Sequence, residues 1–449
     1  MKSTSRNGFA TSRRAIIAPA LALGALVSAP AGAGGLIMYE VGTEDVGLAA
    51  AGYAARANDA TTVLTNPAGM TRLEGQQFQL GTQALYSNLK FSVGSGTDTR
   101  PAPFGLGSQD GGRAVGSNGW FPGGGLFYSY SVSRDLKIGI AATGNFGASL
   151  KYDDNWAGRY YVQEATVIGA SLLPSVAYRV NDKLSLGASV NAMYGYLKSV
   201  TAVNNFAPGL GDGKLEIKDS KWGWGGNLGM LYEVSPETRF GLTYNSRVKL
   251  NFSAPAQFSG IGPVLNGVLG ARGLLNAPVN MGINVPQQVM GSMVHALNDK
   301  WTVLGNIGWQ NWKKFGQAEV SIDSSDPRSI TTNVAFKDTW HAAIGAQYRL
   351  SAPWKLNFGV AYDSGFQPNG STVSPLLPAN TAWRFGVGGQ KQVDKSFSWG
   401  VAGEYIYGGT LNVNKQSVAP VLIGGRGNLV GSYNNIGNYI LSANFNWKF

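Results

Sequence analysis

The sequence contains no cysteine and only two histidines, His295 and His341. Without cysteine the chain can form neither disulfides nor thiolate metal sites, and two distant histidines match no common spacing of metal ligands. Charged residues make up 14% of the chain, well below the roughly 25% that is usual in soluble domains. After residue 33, no apolar run approaches the ~18 residues that a membrane-spanning helix needs. We therefore expect no metal, no cofactor and no spanning helix.

Residues 1–33 have the pattern of a secretory signal peptide. A basic first part is followed by the apolar run AIIAPALALGALVSA and by small residues, with cleavage expected after Ala31 or Ala33. The basic residues are Lys2, Arg6, Arg13 and Arg14. The motif SRRAII leaves twin-arginine and general secretory export both open. The sequence therefore predicts an exported chain.

From about Gln76 to the end, apolar and polar residues alternate in runs of roughly ten, which is typical of outer-membrane strands. The last run, NYILSANFNWKF, is the clearest. Its apolar face would carry Tyr439, Leu441, Ala443, Phe445, Trp447 and Phe449. A final Phe after such a strand resembles the signal by which bacterial outer-membrane barrels are recognised for insertion. Outer-membrane lipid and the barrel-insertion machinery are therefore expected partners.

A water-soluble β-sandwich would show the same alternation strand by strand. The signal peptide, the low charge and the aromatic strand ends together favour a membrane, in which strands must close into a barrel to pair every backbone group. Six short polar segments predict periplasmic hairpins: 132–137, 180–184, 234–239, 297–301, 350–355 and 393–397. Together with the segments at 76–93 and 430–449 they give about fourteen strands. We predict an all-β fold, a transmembrane antiparallel β-barrel over residues 76–449.

One long connection, residues 253–286, is apolar where an extracellular loop would be polar. Several of its apolar residues, from position 261 to 269, have the spacing of one helix face. It can be interpreted as a hydrophobic ligand-capture surface or as a lid that only covers the barrel mouth. The residues that we assign to ligand capture are Phe258, Ile261, Val264, Leu265, Val268 and Leu269.

Residues 34–75 do not alternate and are rich in Ala and Gly, which permit close packing. A segment of this length is too short to fold alone. The nearest surface is the inside of the barrel, which at this width would otherwise hold a water-filled channel. We therefore predict an N-terminal plug, with NPAGM (66–70) turning the chain into the first strand.

The order G-x-A-x-A-G-x-A-x-x-A-x-D-A-x-T-x-x-x-NPAGM, from Gly47 to Met70, resembles the N-terminal hatch of the FadL/TodX family. These are outer-membrane transporters of hydrophobic compounds. The resemblance continues through residues 144–161 and 174–199. It implies a monomeric fourteen-stranded barrel plugged by a hatch over 34–75. It also implies passive uptake of fatty acids or aromatic hydrocarbons, captured by loops and released laterally into the membrane.

The resemblance also assigns roles to short motifs. It places the hatch motif at Asn66, Pro67, Ala68 and Gly69. It places a kink of the third strand, which would form the lateral exit, at Gly144, Asn145, Phe146 and Gly147. A glycine inside a strand often marks a bulge or bend, although ordinary packing in a barrel strand explains these glycines as well.

The cargo is left open between fatty acids and aromatic hydrocarbons. A fatty acid would need a cation near its carboxylate, and the residues considered for carboxylate or pocket contacts are Arg159, Tyr196, Lys198, Arg247 and Arg384. Tyr196 is matched to the position at which fatty-acid members carry an arginine. The stretch NWAGRYYVQEA (155–165) resembles the branch associated with aromatic hydrocarbons.

Three other functions make different predictions for this sequence. A general diffusion porin for small polar solutes predicts charged constriction rings and a hydrophilic long loop, which residues 253–286 do not supply. A barrel hydrolase needs a histidine beside a nucleophile or carboxylate, and only His341 faces the predicted lumen, so no enzyme is expected. An adhesin leaves the plug unexplained. The net charge of +11 includes no basic cluster after the signal peptide, so nucleic acid is not an expected partner.

Overall fold

The computed structural model describes residues 36–97, 115–205, 210–315, 317–322, 328–333, 336–417 and 426–449. The predicted signal peptide lies outside these residues. The strands are β1 (Gln76–Val93), β2 (Val115–Ser131), β3 (Leu136–Lys151), β4 (Glu164–Arg179), β5 (Leu184–Val203), β6 (Gly213–Glu233), β7 (Thr238–Asn245), β8 (Val248–Pro255), β9 (Gln257–Ser259), β10 (Pro278–Val285), β11 (Gln288–Ala296), β12 (Trp301–Gln310), β13 (Gln317–Ile322), β14 (Arg328–Asn333), β15 (Thr339–Ser351), β16 (Trp354–Asp363), β17 (Ala382–Gln392), β18 (Phe397–Lys415) and β19 (Leu429–Lys448). The helices are α1 (Thr43–Gly47), α2 (Thr62–Thr65), α3 (Pro263–Ala271) and α4 (Trp312–Phe315), with a 3₁₀ helix over Pro67–Arg72.

Fourteen of these strands form a closed antiparallel barrel. They are β1 to β7, β11, β12 and β15 to β19, and β1 closes the ring by pairing with β19. Each of the six predicted hairpins joins two neighbouring barrel strands, so the predicted strand count and connectivity are confirmed. No helix in the described ranges is long and apolar enough to span a membrane.

The period-two alternation separates an outer from an inner face along the barrel strands. On β19, Tyr439 and Leu441 are exposed on the outside, whereas Ile440, Ser442 and Asn444 are buried inside. Apolar outer side chains are what lipid requires, and polar inner ones suit a lumen. Near one end of the barrel, the Trp447 ring lies beside neighbouring aromatic rings, as in an interfacial girdle.

Residues 36–75 fill the lumen, as the hatch prediction required. Small side chains let this segment follow the wall closely, and Ala49, Ala50, Ala51 and Ala55 are fully buried. Two of the apolar clusters therefore form the contact between the hatch and the inner face of the barrel.

The connections β7–β11 and β12–β15 build a second sheet beyond the barrel. Its order is β14-β13-β10-β8, so strands of both connections pair in one structure. The short β9 adds to the edge of β6, and α3 follows it. These two connections therefore form one ordered cap over the same end of the barrel.

Candidate functional site

Asn66 ties the hatch motif to two other parts of the molecule. Its Oδ1 accepts a hydrogen bond from the Ala68 backbone N–H (3.1 Å) and caps the 3₁₀ helix. Its Nδ2 donates to the carbonyl oxygens of Ala54 in the hatch (2.6 Å) and Met230 in β6 (3.0 Å). Pro67 supplies a fixed φ at the first helical position, where no donor is needed. The NPAG segment thus fastens the end of the hatch to the barrel wall.

Glycines in the wall make room for this segment. A methyl group on Gly229 would lie 2.1 Å from Asn66 Oδ1, and one on Gly187 would lie 2.3 Å from the Ala68 nitrogen. Such distances are far inside van der Waals contact, so only glycine permits the backbone approach. The seat of the hatch motif is therefore built into β5 and β6.

Charged residues hold a second part of the hatch, around Glu44, Asp45 and Arg56. Glu44 lies 3.0 Å from Arg56 Nε and also contacts Lys355 of the wall, while Asp45 pairs with Arg56. Burial raises the pKa of Asp45 to about 6, against the opposing pull of the Arg56 guanidinium. Burial also acts on Glu44, but the Lys355 and Arg56 charges outweigh it and lower its pKa to about 2. The two neighbouring carboxyl groups therefore lose their protons in different pH ranges.

A buried charge cluster joins the start of the hatch to the lumen wall. Arg384 of β17 contacts Glu40 of the hatch and Asp363 of β16, and lies 3.5 Å from Glu404 of β18. His341 Nδ1 lies 2.7 Å from Asp363 Oδ1, within hydrogen-bond distance. All five side chains are buried. Arg384 is thus held by three carboxylates.

The barrel ladder is interrupted between β2 and β3. Among the described residues, the two strands pair only between residues 125–131 of β2 and residues 137–143 of β3. Beyond these residues β2 stays paired with β1, and β3 stays paired with β4. The two strands therefore diverge, and the second half of β3 leaves its neighbour.

The divergence begins at a bulge in the segment predicted as a kink. Gly144 pairs with Ala170 and Phe146 pairs with Gly169, so Asn145 is an extra residue without a partner in the β4 ladder. Gly147 has φ 147°, which favours glycine. The bend is therefore present at the predicted residues, and its role as an exit stays a prediction.

The first described residues of the hatch pair with this bent segment. Ile37 forms an antiparallel bridge with Phe146. The Gly147 N–H donates to the Leu36 carbonyl (2.7 Å), and the Met38 N–H donates to the Asn145 carbonyl (3.2 Å). Residues 36–38 thus occupy part of the edge that β2 leaves open.

A cavity lies directly behind the bend. Its lining includes Ile37, Phe146, Met193, Val248 and Val285, which belong to one continuous apolar cluster. The cavity volume is about 30 Å³, room for one or two waters and far less than an organic ligand needs. A ligand could therefore enter only if part of the lining, such as Ile37 and Met38, moves.

Asn205 joins the cap to a neighbouring connection. Its Nδ2 donates to the carbonyls of Gly211 (2.7 Å) and Gly260 (2.9 Å), and its Oδ1 accepts from the Gly262 N–H (2.7 Å). Asn205 therefore joins the connection between β5 and β6 to the start of α3. The second of these segments belongs to the connection 253–286, which was interpreted as a ligand-capture surface or a lid.

The structure has a helix where the apolar spacing predicted one, over Pro263–Ala271. Within this helix the Leu265 side chain is buried, whereas Val264 is 57% and Val268 43% exposed. Phe258, Ile261 and Leu269 are half-buried. The helix thus presents an apolar outer surface, and its assignment to ligand capture stays a prediction.

Two of the residues considered as pocket contacts lie on the wrong face. Tyr196 and Lys198 share the strand parity of Val190 and Tyr194, which are exposed on the outside of β5. Lys198 pairs there with Glu164 at 2.8 Å. Their assignment to the pocket is therefore corrected, because alternation turns both side chains away from the lumen.

The three arginines do not form a carboxylate site either. Arg159 is buried in the β3–β4 connection and pairs with Asp212 at 2.6 Å. Arg247 is exposed between β7 and β8. Arg384 belongs to the charge cluster with Glu40. The structure therefore brings none of the proposed cations to the cavity.

Sequence reasoning missed two features of this site. It did not detect the bridge between residues 36–38 and the bend, or the pairing of Arg384 with Glu40. The bulged Asn145 was signalled by its flanking glycines. The partners of Arg384 carry no local signal, because they come from distant strands and from the hatch.

A family model described as outer membrane protein transport protein (OMPP1/FadL/TodX) matches residues 24–449. The chain belongs to this family. Family membership confirms the resemblance seen in the sequence, and it identifies the chain as an outer-membrane protein.

Relatives in the family align along most of the chain. The long-chain fatty acid transport protein of Escherichia coli O6:H1 is 25% identical over 452 residues, which cover 95% of this chain and 96% of the relative. Outer membrane protein P1 of Haemophilus influenzae is 26% identical over 370 residues, which cover 75% of this chain and 78% of the relative.

Solved structures of this FadL/TodX type share the fold. A crystal structure of a Pseudomonas aeruginosa FadL homologue has a TM-score of 0.80 at 20% identity, covering 92% of this chain and 100% of that one. The Pseudomonas putida toluene transporter TodX has a TM-score of 0.64 at 17% identity, covering 92% and 99%. At these identities the likeness shows the barrel fold alone.

Proposed function

We propose that this FadL/TodX-family chain is a channel for passive uptake of hydrophobic small molecules, such as long-chain fatty acids or aromatic hydrocarbons. The ligand is captured at the apolar loops, passes to the cavity behind β3 and leaves sideways between β2 and β3. The observation that carries this proposal is the divergence of β2 and β3 directly beside an apolar cavity. Residues 36–38 of the hatch pair with part of the β3 edge that β2 leaves, so movement of this segment would open the wall towards lipid.

The route suits an apolar cargo because it avoids bulk water. Returning an alkyl chain to water forfeits about 0.8 kcal/mol per CH₂ group. Along the proposed route the ligand first meets exposed Val264 and Val268, and then Phe146 and Met193. A concentration gradient is sufficient to drive this movement.

A general porin is not favoured by the same features. A porin needs an open aqueous lumen, whereas here the hatch fills the lumen and is fastened by Asn66 and by the Arg384 cluster. Family membership points the same way. Small polar solutes would therefore be expected to leak only when the hatch is displaced.

Deletion of Asn145 provides a sharp test. Gly144 and Phe146 pair with consecutive residues of β4, so removing Asn145 gives a continuous ladder and lets β3 rejoin β2. We expect uptake of labelled oleate or toluene to fall to the background of cells without this protein. Uptake would be measured in cells whose only channel for hydrophobic compounds is this chain.

The matched control is deletion of Gly408, which removes a comparable bulge in β18 away from the gap. This variant should transport like the wild type. Undiminished uptake after deletion of Asn145 would contradict lateral release. Free diffusion of small sugars through the wild type, without uptake of either hydrophobic probe, would instead favour a porin.

A further inference from the structure

Amide side chains form a row across the inner wall beside the cavity. Asn227 of β6 pairs directly with Asn245 of β7, which pairs with Gln288 of β11, which pairs with Gln310 of β12. Each of these residues has the strand parity that faces the lumen. On β5, Ser189 pairs with Asn227, and Asn191 lies two residues further along the same strand. The row is therefore a feature of register, because no two of its members are close in sequence.

Three of these amides have a buried atom that lacks a hydrogen-bond partner among the described residues. They are Asn191 Oδ1, Asn245 Oδ1 and Gln288 Oε1. All three residues line the cavity behind β3, together with Asn227. A buried polar atom without a partner is unfavourable, and its pairing with a ligand is correspondingly favourable. Because a flip exchanges the two ends of an amide, the row can meet either a donor or an acceptor.

The rest of the lining is uncharged. Apolar side chains such as Phe146, Met193 and Val248 cover one side, and no Lys, Arg, Asp or Glu belongs to the described lining. An ionised group placed here would lose its hydration without gaining a counter-charge, which is strongly unfavourable. The cavity therefore disfavours a carboxylate.

We infer that this cavity selects neutral hydrophobic molecules that carry a hydroxyl group, such as alkylphenols or long-chain alcohols. This inference rests on the proposed function and specifies its substrate class. A hydroxyl both donates and accepts, so once the lining has moved to admit a ligand it can satisfy two amides while the hydrocarbon part packs against Phe146 and Met193. A bare hydrocarbon leaves the amides unpaired, and sites built to pair a hydroxyl reject analogues that lack it.

The test compares three probes built on the same butylbenzene frame: 4-butylphenol, butylbenzene and 4-butylbenzoate. Uptake is measured in cells that rely on this channel, for the wild type and for the double variant Asn245→Leu/Gln288→Leu. We expect the wild type to favour 4-butylphenol. In the double variant the ratio of 4-butylphenol to butylbenzene uptake should fall about tenfold, the effect of losing one or two hydrogen bonds. Asn438→Leu, a buried lumen amide outside the cavity, should leave the ratio unchanged.

The outcomes separate this inference from the proposed function. If no probe enters above the level of cells lacking the protein, the proposed function fails. If the hydrophobic probes enter but the double variant leaves their ratio unchanged, or if 4-butylbenzoate is preferred, only the inference is overturned. Should the double variant fail to insert, equilibrium binding to purified wild-type protein decides. Binding of 4-butylphenol tighter than butylbenzene supports the inference, and equal or weaker binding overturns it.

Discussion

Replacing Asn66 by alanine should release the hatch from its seat. The substitution removes the bond from the Ala68 N–H and the two bonds to the Ala54 and Met230 carbonyls, all within a side chain that is 1% exposed. Each bond contributes about 0.5–1.5 kcal/mol net, so the seated hatch should lose about 2–4 kcal/mol. That loss corresponds to a roughly 30- to 700-fold rise in the population of the displaced state.

Hydrogen exchange of hatch amides measures this population directly, because protection reports the free energy of local opening. The protection factors of residues 54–68 should fall by roughly 30- to 700-fold, while those of the barrel strands should not change. The matched control is Asn58→Ala in the same hatch. Asn58 is exposed, and among the described residues its side chain makes one hydrogen bond, to Glu44 at 3.2 Å, so protection should change by about twofold or less. Equal protection in the wild type and Asn66→Ala, or equal losses in both variants, would refute the reasoning.

Two further predictions concern the charges that hold the hatch. Arg384→Met leaves three buried carboxylates without their cation and should cost the seated hatch about 3–5 kcal/mol. Planar-bilayer conductance should then rise, whereas exposed Arg134→Met should leave it unchanged. Hatch protection should also depend on pH. Glu44, with its pKa lowered to about 2, stabilises docking above about pH 4.5 and loses that contribution as the pH falls towards 2. Asp45, with its pKa raised to about 6, favours docking at low pH and loses that contribution as the pH rises through 6. Protection should therefore peak at about pH 4 to 4.5 and fall as the pH rises to about 6, and a steady increase up to pH 8 would contradict this assignment.

The barrel could be predicted from the sequence because its determinants are local. Alternation along each strand reports which face meets lipid, and short polar turns mark where the chain reverses. The six predicted hairpins, the helix near residue 265 and the bend near Asn145 all depend on neighbours within a few positions. These features therefore agree between sequence and structure.

The site chemistry could not be predicted in the same way, because it depends on register. Asn227, Asn245 and Gln288 become neighbours only when three strands pair in one alignment. Arg384 was considered as a contact for cargo, yet it meets Glu40 from the hatch. Tyr196 was misplaced because both faces of β5 carry apolar residues near it, so alternation alone did not reveal its direction.

The position of the hatch also constrains the order of assembly. The hatch runs directly into β1, and β1 completes the ring by pairing with β19, more than 330 residues away in the chain. The wall partners of the hatch lie on strands that include β6, β16 and β17. The segment made first thus receives its last partners only when the final strands arrive. Until then its carboxylates and Asn66 must remain hydrated, so ring closure and desolvation of the hatch should form a single cooperative event.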